Sequence, residues 1–480
     1  MTNPIDHLPL SAANALLRDV VSDRILGCIV GSALGDAMGL YTEFLSAKKV
    51  EEVYGLDAKF TLQGRDNRFG PTQFYLDLHR AAKDPGHWTD DTDHALLLLL
   101  GWLHTASTST TGDGDAQLLP TQTDLAARLV TWVQQGLLPL ETMPLGLGKL
   151  VSSVVSTKDF VKEPARVSKE YWVKTGRHVA PNGSLMRTHP LGVIGLWMTE
   201  TEMFGLAAEI SRTTHADPRC VVACVIGTGL VRGLLRGEVS SEKDVDELLE
   251  RAIAWFLERQ KEDPGRKDEP ELDVEELKKH VHVPPLVMED GDRIYGSLKL
   301  DDPPAIGYVY KTLGAGVFTL RWILRSMAPH ADGNGNAKDE VFEKCITHLI
   351  MQGGDADTNA CFAGALLGAY LGYVRLPGHW KHGLTHGRWL FGKAEAMCKV
   401  LGVMEGEYVG KEDKSTWLDG GKGMISQQDM EVRWMVLQQK AAKRIEEGKA
   451  KEEARRPRRP MWMRVLGLED RKTRPPRSNS

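Results

Sequence analysis

Three observations predict an all-α fold. Apolar residues recur at helical spacing through most of the 480 residues, and the alternation that marks strands is scarce. Two segments carry glycine at every fourth position: Gly27, Gly31, Gly35 and Gly39, then Gly364, Gly368 and Gly372. Glycine in a helix interior costs about 1 kcal/mol relative to alanine, so a whole face of it implies another helix backbone lying very close. Lastly, two acidic stretches, Thr89-Asp90-Asp91-Thr92-Asp93 and Asp355-Ala356-Asp357-Thr358, each open an apolar, helix-forming run.

In chain order, a polar lead-in over 1–23 precedes a helix from Arg24 to Leu40. Lys48 to Pro85 reads as mixed and loop-rich, punctuated by Gly64, Gly70 and Pro71. The first acidic stretch and its apolar helix follow, then a Ser/Thr/Gly-rich loop over Thr105 to Gly114. Asp124 to Gly136 is helical, and Pro144 to Gly148 is a turn into another helix. Gly176 to Pro190 is a loop. Leu206 to Leu235 is helical with a break near Pro218. Arg236 to Asp302 is highly charged and reads as an inserted segment, with an amphipathic helix over Asp244 to Gln260 and a solvated linker over Glu262 to Glu271. Ile306 to Ser326 returns to apolar helix, His330 to Asp339 is a polar loop, and Glu340 leads to the second acidic stretch. Glu431 to Arg456 reads as an exposed helix, and the Pro/Arg-rich remainder as disordered.

Composition narrows the class. With 42% hydrophobic and 26% charged residues, the chain can bury a large core. A net charge of −5 argues against bulk nucleic-acid binding. The charge is uneven: from Glu431 to Ser480 there are 15 Lys+Arg against 7 Asp+Glu, which leaves an acidic body and a basic tail. The six cysteines form no Cys-x-x-Cys pair and sit in apolar surroundings, as expected in a reducing compartment. The N-terminus has neither a signal-peptide nor a convincing transit-peptide pattern, and no run is expected to approach the length of a membrane span. A cytoplasmic location follows as an expectation, or a nuclear one if the basic tail is an address; a solvated appendage is the plainer reading of that tail.

The acidic stretches carry the chemistry. Carboxylate and hydroxyl oxygens suit hard cations such as Mg²⁺, Ca²⁺ or Mn²⁺. Helix capping is the alternative for either stretch alone, because Asp and Thr at an N-terminus satisfy free N–H groups and favour the helix dipole. Five carboxylates at two helix starts exceed what caps need, and they would repel one another unless a cation neutralised them. The glycine faces give the two stretches a means of meeting. Two other patterns carry less. Asp332-x-Asn334-x-Asn336 with Glu343 has calcium-loop spacing, yet Ala337 stands where glycine is required. His379, His382 and His386 lack a thiolate partner and read as a solvated turn rather than a zinc site.

Six motifs in order then resemble the ADP-ribosylglycohydrolase family. Trp88-Thr89-Asp90-Asp91-Thr92 and Gly353-Gly354-Asp355-Ala356-Asp357-Thr358 are similar to its first and last signatures. Gly31-x-x-x-Gly35-Asp36-Ala37-x-Gly39 with Glu43-Phe44 resembles its N-terminal helix and acidic residue. Asn182-Gly183-Ser184-x-Met186-Arg187 resembles its central loop, Ser211-x-x-Thr214-His215-x-x-Pro218 its Thr-His turn, and Leu376-Pro377-x-x-Trp380 the stretch after its last helix. The resemblance covers roughly 24–401, with the charged insertion about 236–302 and the extension 402–480 outside it.

The resemblance implies a compact orthogonal multi-helix bundle with two Mg²⁺ ions in a cleft, Mn²⁺ being a substitute. Thr89, Asp90, Asp91, Asp355, Asp357 and Thr358 would be the ligands, and Glu43 the proton-transfer or water-orienting group. Asn182, Gly183, Ser184, Met186, Arg187, His215, Gly146, Gly148, Gly353 and Gly354 would contact substrate. Without the resemblance Glu43 reads as a surface carboxylate, Asn182-Gly183 as a turn, and His215 as a capped or core histidine. Asp36 is open between a supporting and a structural role, and Thr92 and Asp93 read as helix-start residues. The implied function is hydrolysis of the bond between ADP-ribose and an acceptor, on a protein side chain or a small conjugate. A non-catalytic ADP-ribose-binding or structural member of the family is the alternative. A monomer is expected, with no membrane and no specific nucleic-acid partner.

Overall fold

The helix that organises the fold, α1 (Leu10–Gly39), is buried from Ile25 onward in the computed structural model, which describes residues 10–62, 71–108, 119–263, 266–282, 294–327 and 340–455. It begins well before Arg24, because Ala13, Ala15, Leu16, Leu17 and Arg18 are good helix formers even where Leu16 and Leu17 stay exposed. Next comes α2 (Ala47–Tyr54), in a stretch that had read as loop-rich; Ser46 caps it by accepting from the Lys49 amide. The first acidic stretch opens α3 (Asp90–Thr108), followed by α4 (Gln122–Gln135), α5 (Lys149–Val155) and α6 (Pro164–Lys174). Then follow α7 (His189–Ile194), α8 (Glu200–Ser211) and α9 (Pro218–Arg236). The break expected near Pro218 is real: Pro218 is the first residue of α9, and Asp217 caps it.

The charged insertion contributes α10 (Glu242–Glu262) and α11 (Val274–Val281). Its linker had read as solvated, but its far end is docked: Arg212 holds Glu269 at 2.9 Å, and Lys169 holds Asp268 at 2.8 Å. After it come α12 (Val309–Ser326), α13 (Val341–Ile350), α14 (Ala356–Leu371), α15 (Gly378–Gly383) and α16 (Gly387–Val400). His379 and His382, expected in a turn, lie on α15, where His379 sits 3.5 Å from Glu343. The polar loop with calcium-like spacing, most of the Ser/Thr/Gly-rich loop and the Pro/Arg-rich tail lie outside the described residues. Among the described residues there is no strand, only three isolated bridges, which bears out the all-α expectation.

Helix α9 corrects one expectation. Despite Arg219, Arg232 and Arg236, it is long and apolar enough on average to cross a membrane by length and composition, which the sequence does not lead one to expect. Of its apolar 18-residue window, 94% lies buried inside the fold, where the same apolar surround serves a core helix.

The chain divides into two units. The main one comprises Met1–Tyr75 and Pro85–Ser426. The smaller comprises Leu76–Asp84 and Gln427–Ser480, in which α17 (Gln427–Arg455) is tied to the short segment by Lys440 and Arg444 on Asp84 and by Arg444 on the Ala81 and Lys83 carbonyls.

In the main unit α1 and α14 pack glycine face to glycine face. A Cβ built on Gly27, Gly31, Gly35 or Gly39 would come closer than 3.0 Å to α14 backbone, at Gly368, Gly364, Ala360 and Asp357 in turn. The backbones approach this closely because α1 carries no side chain at these four positions and α14 carries none at Gly364 and Gly368. This is the packing that the glycine spacing predicts, and its last contact delivers Asp357 to the end of α1.

Candidate active site

Asp36, one turn before the end of α1, anchors the first acidic stretch. Both of its carboxylate oxygens accept from the Thr89 amide, at 2.9 and 3.0 Å, and Oδ2 also accepts from the Thr92 amide at 3.0 Å and the Thr92 hydroxyl at 2.6 Å. Asp36 thus caps α3 from another helix, and it fixes where Thr89, Asp90 and Asp91 emerge. Asp93 is structural, accepting the indole N–H groups of Trp88 and Trp132 at 2.8 Å each.

The second stretch arrives through Gly353 and Gly354, both with positive φ. The Gly354 amide donates to the Leu45 carbonyl at 2.9 Å, and the Phe44 amide donates to the Gly354 carbonyl at 2.6 Å. A Cβ on Gly353 would strike the Leu45 carbonyl, and one on Gly354 the Leu300 carbonyl. The double glycine therefore joins 43–46 to the start of α14 and sets Glu43 beside Asp355 and Asp357.

Two carboxylate clusters result. Asp36, Asp91 and Asp357 each bring an oxygen within 4.8 Å of the others, and so do Glu43, Asp355 and Asp357. Asp357 belongs to both. Oδ2 of Asp91 accepts the Thr89 hydroxyl at 2.9 Å, whereas Oδ1 is buried with no hydrogen-bond partner. Burial pushes the Asp91 and Asp357 carboxyls well above their ordinary range, and the neighbouring carboxylates add to it: Asp36, Asp90 and Asp355 on Asp91; Glu43, Asp91, Asp355 and Asp36 on Asp357. Asp355 is raised by burial and then by Glu43. A buried carboxylate oxygen without a donor, among oxygens this close, is costly unless a cation is shared between them. The donor set is all oxygen, with no thiolate or imidazole, and it fits Mg²⁺ or Mn²⁺.

Glu43, Asp91, Asp355 and Asp357 of these clusters line a cavity of about 370 Å³, in the range of small-ligand sites. Of the residues singled out from sequence, Glu43, Asp90, Asp91, Gly146, Gly148, Asn182, Gly183, Met186, His215, Asp355, Asp357 and Thr358 line it. The remaining five do not. Thr89 lies behind Asp91. Ser184 is fully buried and accepts from Ser211 and Cys224. Arg187 is fully buried and donates to Thr214 at 2.7 Å. Gly353 and Gly354 serve the backbone junction described above. Gly146, at positive φ, has its place because a Cβ there would strike the Asp90 carboxylate. Asn182 is pinned by donating to Asp355 at 2.8 Å and Thr312 at 2.9 Å, with its amide on the Gly307 carbonyl.

Cavity residues not singled out from sequence are Phe44, Lys149, Leu150, Val151, Tyr171, Thr175, Val179 and Pro181. Tyr171 and Thr175 stand four residues apart at the end of α6, a spacing that puts them on one face. Nothing in the sequence indicates that this face is the one turned to the site. Phe44 is 56% exposed and adopts a φ of 60°, uncommon for an aromatic residue. Its place beside Glu43 was the available signal.

Residues 17–408 match the family model described as ADP-ribosylglycohydrolase. The chain belongs to the ADP-ribosylglycohydrolase family. It is 24% identical to an Archaeoglobus fulgidus protein named only as uncharacterized, over 76% of this chain and 92% of that one. It is 24% identical to ADP-ribosylhydrolase ARH3 of Gallus gallus, over 75% and 88%. It is 22% identical to ADP-ribosyl-[dinitrogen reductase] glycohydrolase of Rhodospirillum rubrum, over 75% and 90%.

In this family member the raised carboxyls give a signed pH effect. Free aspartate titrates near about 3.9. Between that pH and their higher folded values, the folded chain holds protons that the unfolded chain has released, so cation-free stability falls as pH rises through this window. A cation held by these carboxylates would replace those protons. Melting with and without Mg²⁺ at pH 5.0 and 7.5 is expected to show the larger cation-induced rise in Tm at the higher pH; an equal rise at both would contradict this account of the cluster.

Proposed function

We propose that this chain is a divalent-cation-dependent hydrolase that cleaves the glycosidic bond between ADP-ribose and an acceptor, on a protein side chain or a small conjugate. The observation that carries the reading is the meeting of Asp91, Asp355, Asp357 and Glu43 in one cavity wall, with Asp91 Oδ1 left unpartnered. Support comes from the family, whose name describes this chemistry, and from the names of the chicken and Rhodospirillum rubrum relatives.

Thr89, Asp90, Asp91, Asp355, Asp357 and Thr358 would hold Mg²⁺, or Mn²⁺ in its place. When bound, the cation supplies charge neutralisation and a fixed point for ribose hydroxyls. The other roles belong to the chain. Asn182, held by Asp355 and Thr312, keeps the 182–186 loop against the cavity. Glu43 is 5% exposed and stands beside Asp355. It orients water and takes its proton as the water oxygen bonds the anomeric carbon; the acceptor leaves with the electron pair of the broken bond and receives that proton, which returns Glu43 to its carboxylate form. The carboxylate-rich wall favours the oxocarbenium-like charge that develops on the sugar.

The test is a panel of ADP-ribosyl-arginine and ADP-ribosyl-serine peptides and small ADP-ribosyl conjugates, with Mg²⁺ or with chelator. At least one member is expected to turn over with Mg²⁺ and to stop with chelator. Glu43→Gln is expected to lower kcat by roughly 10²- to 10⁴-fold while keeping the Mg²⁺-induced rise in Tm. Absence of turnover on every member, or turnover indifferent to chelator, contradicts the reading. ADP-ribose binding without turnover would instead favour a non-catalytic binding protein.

A further inference from the structure

Arg187 does not reach the cavity, yet its placement is expensive. Its guanidinium is fully enclosed, Nε and Nη1 have no hydrogen-bond partner, and Nη2 donates to Thr214 Oγ1 at 2.7 Å. No carboxylate among the described residues pairs with it, and burial lowers its pKa to about 10. A buried cation held by one hydroxyl calls for a use that offsets its desolvation.

Hydrogen-bond bookkeeping along Thr214 points to that use. Arginine only donates, so the Thr214 oxygen is the acceptor of this bond. The same oxygen lies 2.7 Å from Nδ1 of His215. If Nδ1 carried the proton, Thr214 would receive two donors, and its own buried hydroxyl proton would have no acceptor among the described residues. The arrangement that satisfies all three groups has Thr214 donating to a bare Nδ1. The one proton of the neutral imidazole then sits on Nε2. That nitrogen is buried without a partner and lies at the cavity wall beside Gly183, where a Cβ would stand 3.1 Å from it.

We propose that Arg187, acting through Thr214, fixes His215 as a neutral Nε2–H donor directed at an acceptor oxygen of the bound ADP-ribosyl ligand. This rests on the ADP-ribosyl reading of the cavity. Arg187 and Thr214 are positioning residues, and His215 is the group that touches ligand. Burial first, then the nearby Arg187 and His94, holds the His215 imidazole well below its ordinary pKa, in keeping with neutrality. A donor of this kind offers direction without a second charge that would compete with the cation across the cavity.

Long-range proton–nitrogen NMR on the ¹⁵N-histidine-labelled full chain reads the tautomer directly, without ligand. The wild type is expected to show His215 with Nε2 protonated and Nδ1 bare. Thr214→Val, nearly isosteric, is expected to lose that single tautomer and to weaken ADP-ribose binding by roughly 10-fold in calorimetry. Thr214→Ser keeps the hydroxyl and restores both. A wild-type His215 protonated at Nδ1, or a Thr214→Val chain with unchanged tautomer and affinity, overturns the proposal. If ADP-ribose does not bind the wild type at all, the functional reading fails, and the tautomer measurement still decides the relay on its own.

Discussion

Asp357→Asn is expected to abolish turnover, by roughly 10³-fold or more, while the cation-free protein melts higher than the wild type. The two effects share one cause. Among the described residues Asp357 alone is common to both carboxylate clusters, and burial together with Glu43, Asp91, Asp355 and Asp36 raises its carboxyl. Replacing it with an amide of the same shape removes a carboxyl that the cation-free fold must keep protonated or hold charged against its neighbours, so the folded state gains stability at neutral pH. The same change removes the shared oxygen on which a cation depends, and a loss of 10³-fold corresponds to about 4 kcal/mol of transition-state stabilisation. The rise in Tm on adding Mg²⁺ is expected to shrink or vanish in the variant. Kinetics and paired melting curves check this. A variant that loses stability and keeps its Mg²⁺ response would show that Asp357 is only a structural cap.

Gly35→Ala carries the largest expected effect on folding, and Gly392→Ala should have the opposite sign. A methyl on Gly35 would come closer than 3.0 Å to the Ala360 carbonyl oxygen and carbon of α14, both backbone atoms that no rotamer change can move. The helices would have to separate along their whole contact, at about 3 kcal/mol or more. The separation would also draw Asp36 away from Asp357, so cation affinity should fall with stability. Gly392 lies on the exposed side of α16, where an added Cβ meets nothing within 4 Å. Alanine there should stabilise by about 0.5 to 1 kcal/mol through helix propensity and the unfolded chain. Urea unfolding of the two variants measures both. Equal effects at the two positions would contradict the account of the glycine faces.

Much of this arrangement was legible in the sequence because backbone requirements leave plain marks. Glycine every fourth residue from Gly27 to Gly39 foretold the helix contact, and the two acidic helix starts foretold what that contact brings together. Four of the residues outside the cavity lining share a different property. Arg187, Ser184, Gly353 and Gly354 lie in motifs that resemble the family's, yet sequence does not say which way a side chain in a motif points. Arg187 turned out to bond Thr214 inside the fold, and the double glycine to join backbone to backbone. Tyr171 and Thr175 were invisible for the converse reason: their helix carries no chemical mark, and only the packing of α6 turns that face to the cavity. The N-terminal extension of α1 and the docking of the 266–271 segment depended on propensity and on Arg212, neither of which an apolar pattern reveals.

The most direct test of the central claim is anomalous diffraction from crystals of the full chain soaked in Mn²⁺. The account predicts density from bound metal among the oxygens of Asp91, Asp357 and Asp355, lost in Asp357→Asn. No anomalous peak at these carboxylates in the wild type, with Mn²⁺ bound elsewhere or not at all, would contradict it.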